Sequence, residues 1–182
     1  NDLCADNEAG MFVTAFVGMC DLVAAKLSYV NAGHNPPLIC HPNGRFQYMA
    51  GKRGFVLGGM ENSKYVINTQ PLFAGDKLFL YTDGLTEAVN MDMELYGEKR
   101  LLDYLNAERL HDADMKTLLT TTRSQLNEFV GEAEQADDIT MLGIMIRSVS
   151  VMDNKHRLQL PADKDRLNQV LEFVENALSE YD

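Results

Sequence analysis

Two acid-bearing breaks in apolar sequence hold the residues best suited to chemistry. In the first, Leu78-Phe79-Leu80-Tyr81-Thr82 runs into Asp83-Gly84, and Leu85-Thr86-Glu87-Ala88 follows. In the second, Ala136-Asp137-Asp138-Ile139-Thr140 precedes another apolar run. A short run apolar on both faces reads as a strand buried within a sheet. The pattern therefore predicts one strand ending at Asp83 and another starting at Asp138. Carboxylates held at strand ends are oxygen donors of fixed position, which suits a hard cation such as Mg²⁺ or Mn²⁺. The residues by themselves point to a metal-dependent enzyme site. Asp-Gly is also a common turn dipeptide, and alone the first break reads equally well as a turn.

The elements that must position these acids can be read along the chain. Residues 11–20 are apolar and β-prone, and residues 26–31 alternate as a half-buried strand should, so a hairpin is expected. Ala32-Gly33-His34-Asn35-Pro36-Pro37 is turn chemistry, because the paired prolines forbid a helix. Asn43-Gly44, between apolar residues 38–40 and 45–49, is a strong hairpin signal. A glycine-rich loop leads to a strand over residues 65–69, a turn at Ala74-Gly75-Asp76, and the strand that ends at Asp83. Residues 97–107 and 113–130 carry apolar side chains at helical spacing, and residues 138–149 read as a long apolar strand. Strands, then two helices, then a strand define the α+β class, with a largely antiparallel sheet.

The character changes near residue 150, which divides the chain into segments 1–150 and 151–182. In the second, residues 156–160 alternate like a short strand, and Asp163 is placed to cap a helix. Leu167, Val170, Leu171, Val174 and Leu178 form an apolar stripe along that helix, whose need for a partner makes self-association an expectation.

Composition narrows the function classes. Sixteen basic residues face 27 acidic ones, a net charge of −11, which argues against non-specific binding to nucleic acid or an anionic membrane. No apolar run approaches the roughly 20 residues needed to span a bilayer, and no signal-peptide pattern is present. The three cysteines lack paired spacing and read as reduced thiols of a cytoplasmic protein. The ten methionines read as core fillers.

Taken together, MFVTAF, YVNAGHNPP, GD-x-L-x-LYTDGLTEA and ADDIT, in this order, resemble the SpoIIE-type (RsbU-like) branch of the metal-dependent protein phosphatase 2C superfamily over residues 1–147. The resemblance implies a partial β-sandwich flanked by helices, with two Mn²⁺ or Mg²⁺ ions at one end. It implies hydrolysis of phosphoserine or phosphothreonine in bacterial partner-switching pathways that control sigma factors. The expected substrate is a phosphorylated anti-anti-sigma (STAS) protein, with an upstream sensor or regulatory domain as a second partner. Two metals about 3.5–4 Å apart can share a water, lower its pKa and aim it at phosphorus, so no covalent phosphoenzyme is needed. The implied ligand set is Asp83, Gly84 and Asp137, with Asp83 and Asp137 as the catalytic acids. The family's other metal acid comes from an N-terminal Asp-x-Ser-Gly motif that these residues lack, so the chain reads as a fragment that is inactive by itself. Residues 155–182 more weakly resemble the opening strand and helix of an anti-sigma-factor-like ATPase, with no nucleotide site assignable.

Several residues carry two readings. Of Asp137 and Asp138 one ligates, with Asp137 preferred, and the other caps or pairs. Glu87 either orients a metal-bound water or is an exposed acid at a helix start. His34 is a loop hydrogen-bonder or a general acid, and Asp76 is most simply a turn former. The competing function is a non-catalytic scaffold that binds a STAS partner or mediates dimerisation. A haloacid-dehalogenase-type phosphatase needs a second Asp two residues from the first, and Tyr81 stands there instead.

Overall fold

The computed structural model describes residues 3, 4, 7, 10–107 and 110–149. All lie in the first of two units, Asn1–Val151. The strand and helix expected in residues 156–182 lie outside the described residues.

Chain order begins with a hairpin. β1 (Ala15–Asp21) pairs antiparallel with β2 (Lys26–Ala32) in the register Asp21↔Lys26 through Ala15↔Ala32. The turn is closed by the Asp21 carboxylate, which accepts from the amides of Val23 (3.0 Å) and Ala24 (2.7 Å). β3 (Leu38–Cys40) and β4 (Gln47–Tyr48) form the second expected hairpin, and Asn43 adopts a left-handed φ of 58° in its turn. β5 (Arg53–Gly54) runs parallel to β2, and β6 (Asn68–Pro71) runs antiparallel to it. β7 (Lys77–Tyr81) pairs with β3 and, on its other side, with β8 (Met141–Met145). Between β7 and β8 come α1 (Asp83–Thr86), α2 (Gly97–Asn106), a 3₁₀ turn (Leu110–Asp112) and α3 (Met115–Val130).

The strands make two sheets, β1-β2-β5 with β6 also on β2, and β4-β3-β7-β8. β7 shows why its sequence is continuously apolar. Leu78 joins Leu27, Tyr29, Ile39 and Leu72 in a core built from both sheets. Phe79 and Tyr81 point the other way, with Leu38 and Cys40, into a second core completed by Leu101 and Leu105 of α2 and Leu118 and Leu126 of α3. Those four leucines are fully buried, each worth about 1.5–3 kcal/mol of transfer from water, and they fix the helices on the sheet. The helix alignment is local as well: Asp114 caps α3 by accepting from the Thr117 amide and hydroxyl, both at 2.9 Å. The mixed sheets and flanking helices form an α+β sandwich, as the pattern of elements predicted.

Three expectations are corrected. The strand expected over residues 65–69 starts three residues later and ends two later, as β6. The final strand is five residues long rather than twelve, and its Leu142 and Ile144 are 52% and 37% exposed. Opposite Leu80 and Leu78 they share the inter-sheet face, at an edge that leaves them partly exposed. Asp76 is more than a turn former: fully buried, it accepts from the Phe73 amide (2.8 Å) and pairs with His41 Nδ1 (2.8 Å).

Candidate metal centre

The first acid does not end a strand. β7 stops at Tyr81, Thr82 is the extended N-cap, and Asp83 is the first residue of the four-residue α1. An acid there is favoured by the amide groups exposed at a helix start, and Oδ1 of Asp83 accepts from the Gly84 amide at 3.1 Å. Nor does the second acid lie on a strand. Asp137 sits in the loop between α3 and β8, where its Oδ1 accepts from the Asp138 amide at 2.7 Å. Its backbone carbonyl takes the Gln135 side-chain amide at 2.8 Å. Both acids are exposed.

Two neighbours bring the loops together. Thr82 extends the β7–β8 ladder past its last named pair, since its amide donates to the Thr140 carbonyl at 3.0 Å. Its hydroxyl donates to the Asp138 carbonyl (3.0 Å) and accepts from the Thr140 amide (2.9 Å). Gly84 is buried against the same peptide: a Cβ there would stand 2.5 Å from the Asp138 carbonyl oxygen and 3.4 Å from the Asp137 carbonyl carbon. Space, not backbone conformation, demands glycine here. Sequence reasoning passed over Thr82, although a hydroxyl between a buried strand and an acid was a readable sign of a staple.

The Ala32–Pro37 loop borders the same site. The Asn31 side chain and the Arg53 guanidinium both donate to the His34 carbonyl, at 2.9 and 3.0 Å. The Asn35 amide reaches the Thr86 hydroxyl of α1 at 3.5 Å. His34 Nδ1 lies 3.2 Å from the Thr14 hydroxyl. Burial holds its pKa below the ordinary imidazole value, the Asp83 carboxylate pulls it upward, and Arg53 pushes it down. His34 thus has a hydrogen-bond partner in Thr14. Glu87 closes α1 rather than opening a helix, its amide donating to the Asp83 carbonyl at 2.8 Å.

Asp83 and Asp137 offer oxygen donors of the type that a hard divalent cation takes. Asp83 and Asp137 each engage one carboxylate oxygen with the next amide in the chain, and among the described residues neither forms an ion pair. Asp138 and Glu87 add negative charge that no ion pair among the described residues offsets. Among the described residues no cluster of three or more His, Cys, Asp or Glu side chains could hold a metal, so two carboxylates would leave most coordination positions to water or other donors.

This geometry, one acid opening α1 and the other in the loop between α3 and β8, accompanies a family match over most of the described unit. A family model for Stage II sporulation protein E (SpoIIE) matches residues 1–147. The chain belongs to the SpoIIE family. Among its relatives, Protein IcfG of Synechocystis sp. is 33% identical over 138 residues, covering 75% of this chain and 21% of that protein. Phosphoserine phosphatase RsbU of Bacillus subtilis is 31% identical over 80 residues, covering 44% of this chain and 24% of that protein. The chain thus spans about a fifth to a quarter of the length of these relatives. The phosphatase domain of the cell fate determinant SpoIIE from Bacillus subtilis, solved in a manganese-presoaked form, shares the fold with a TM-score of 0.56 at 14% identity. That superposition covers 81% of this chain and 59% of that one.

Proposed function

We propose that this SpoIIE-family chain is part of a divalent-metal-dependent protein phosphatase acting on phosphoserine or phosphothreonine in bacterial partner switching. The substrate is proposed to be a phosphorylated STAS-domain anti-anti-sigma protein, and the setting the cytoplasm. Among the described residues no helix is long and apolar enough to cross a membrane. The observation that carries this reading is the close packing of Gly84, the residue after Asp83, on the carbonyl of Asp138, the residue after Asp137. The name of the relative RsbU supports the phosphoserine chemistry, and the manganese-presoaked SpoIIE structure supports a divalent cation.

In this reading Asp83, Gly84 and Asp137 would hold Mn²⁺ or Mg²⁺, which when bound would activate a water and neutralise charge on the phosphoryl group. Thr82 and Gly84 position the acid-bearing loops. Asp138, whose carbonyl is held by Thr82, has a structural part and is not needed as a ligand. With two carboxylates in place of the family's three, the 182 residues alone are proposed to be inactive.

The test is Mn²⁺-dependent phosphate release from a phosphoserine STAS protein, by this chain and by a version extended N-terminally through the Asp-x-Ser-Gly motif. Activity is expected only in the extended version, and Asp83→Asn or Asp137→Asn should lower it at least a hundredfold without unfolding the protein. Inactivity of the extended protein, with tight partner binding retained, would establish the scaffold reading instead. Full activity of Asp83→Asn at saturating Mn²⁺ would remove that residue from the ligand set.

A further inference from the structure

Beside the acid pair, the structure holds a cavity of about 100 Å³ that the chemistry above does not use. Its walls are Ala88 and Val89 after α1, Leu126 and Val130 on the last turns of α3, and Ile139 before β8. Gly84, Glu87 and Asp137 also line it, so the cavity and the candidate metal centre share two of their residues. Glu134 adds a further acid.

We infer that this cavity is a specificity pocket for an aliphatic side chain one or two residues from the phosphorylated residue of the substrate protein. The inference rests on the phosphatase reading and adds a determinant of substrate choice to it. Three observations select that occupant. The first is position: a phosphoryl group engaged at Asp83 and Asp137 leaves the flanking residues 3.8 Å per step along the substrate chain, within reach of a cavity whose lining includes Asp137. The second is lining: six apolar side chains, Ala136 among them, and no basic one form the walls, with Asn127 and Gln135 as the neutral polar groups, which favours a hydrocarbon group. The third is size. An apolar cavity of about 150 Å³ accommodates benzene, so the smaller space here admits valine, leucine, isoleucine or methionine and excludes an indole. The acids Glu87 and Glu134, neither of them a proposed ligand, disfavour an acidic neighbour by like-charge repulsion.

The test measures binding rather than turnover. Peptides carrying a non-hydrolysable phosphonate analogue of phosphoserine, flanked by Leu, Ala or Trp, are titrated by calorimetry in Mn²⁺ into the N-terminally extended protein. Unphosphorylated peptides run alongside. The Leu peptide should bind at least about tenfold tighter than the Ala peptide, as expected for methylenes placed in a hydrophobic pocket, and Trp should give no gain. Methyl resonances of Ala88, Val89 and Val130 should shift with the Leu peptide and not with the Ala peptide. Ala136→Phe, at an exposed position on the cavity lining, should bring the Leu-to-Ala ratio close to one. Phosphonate-dependent binding that ignores the neighbour, with those methyls unmoved, would overturn the pocket while leaving the phosphatase reading intact. Binding with no dependence on the phosphonate would overturn both.

Discussion

Gly84→Ala separates the packing account of the site from simple helix propensity, because the two predict opposite signs. Alanine is the better helix former by about 1 kcal/mol, so propensity alone predicts a more stable protein. The geometry predicts the reverse. The new Cβ would lie 2.5 Å from the Asp138 carbonyl oxygen, and ordinary contact begins at 3.4 Å, so about 0.9 Å of movement is required. The atoms in the way are backbone, which cannot rotate aside like a side chain. Moving that peptide stretches the 3.0 Å bond from the Thr82 hydroxyl and carries the Asp137 carboxylate with it. Overpacking of this kind costs about 1–3 kcal/mol. A misplacement near 1 Å at a reacting centre costs on the order of a hundredfold in rate. Urea unfolding of the chain reads the first quantity, Mn²⁺ calorimetry the displacement of Asp137, and phosphate release by the extended protein the second. A variant of equal or higher stability, with unchanged Mn²⁺ affinity, would refute the claim that Gly84 packing sets the two acids together.

Three further outcomes are expected. Thr82→Val keeps the shape of the N-cap residue but removes both hydroxyl hydrogen bonds to the 138–140 segment, so it should cost about 1–2 kcal/mol in urea unfolding and weaken Mn²⁺ binding. Asp76→Ala leaves the Phe73 amide without its carboxylate acceptor and His41 without its partner. It should cost about 2–4 kcal/mol by the same assay, far more than an ordinary turn residue would. The third outcome concerns protonation at His34. The Asp83 carboxylate favours the imidazolium, so a cation bound at Asp83 must cancel that attraction and lower the His34 pKa further below its already depressed value. Imidazole resonances followed against pH, with and without diamagnetic Mg²⁺, should show the fall; an unmoved titration would place the cation elsewhere.

Much of the fold was legible because its signals are local. Asn43-Gly44 demands a positive φ that few residues supply, and the hairpin β3–β4 forms around it. The β7 run is apolar on both faces because Leu78 and Phe79 enter different cores, and the spacing of Leu101, Leu105, Leu118 and Leu126 marked the helix faces that meet it. Residue type alone marks Asp83, Asp137 and Asp138 as oxygen donors in an acid-rich setting, and the preference for Asp137 over Asp138 rested on the family resemblance. Strand ends were less so. Periodicity cannot show where hydrogen bonding to a neighbour stops, so the turn of helix that begins at Asp83 and the shortness of β8 went unread.

What only the tertiary structure decided is proximity. The bond from Thr82 to the Asp138 carbonyl, and the contact that makes Gly84 obligatory, join segments far apart in the chain, and no local pattern encodes their distance. The same holds for the buried Asp76–His41 pair and for the cavity between α1, α3 and the Asp137 loop. Sequence determines which groups are able to act, because chemistry belongs to the side chain. The folded backbone decides which of them act together, because that depends on pairings made across the whole sandwich.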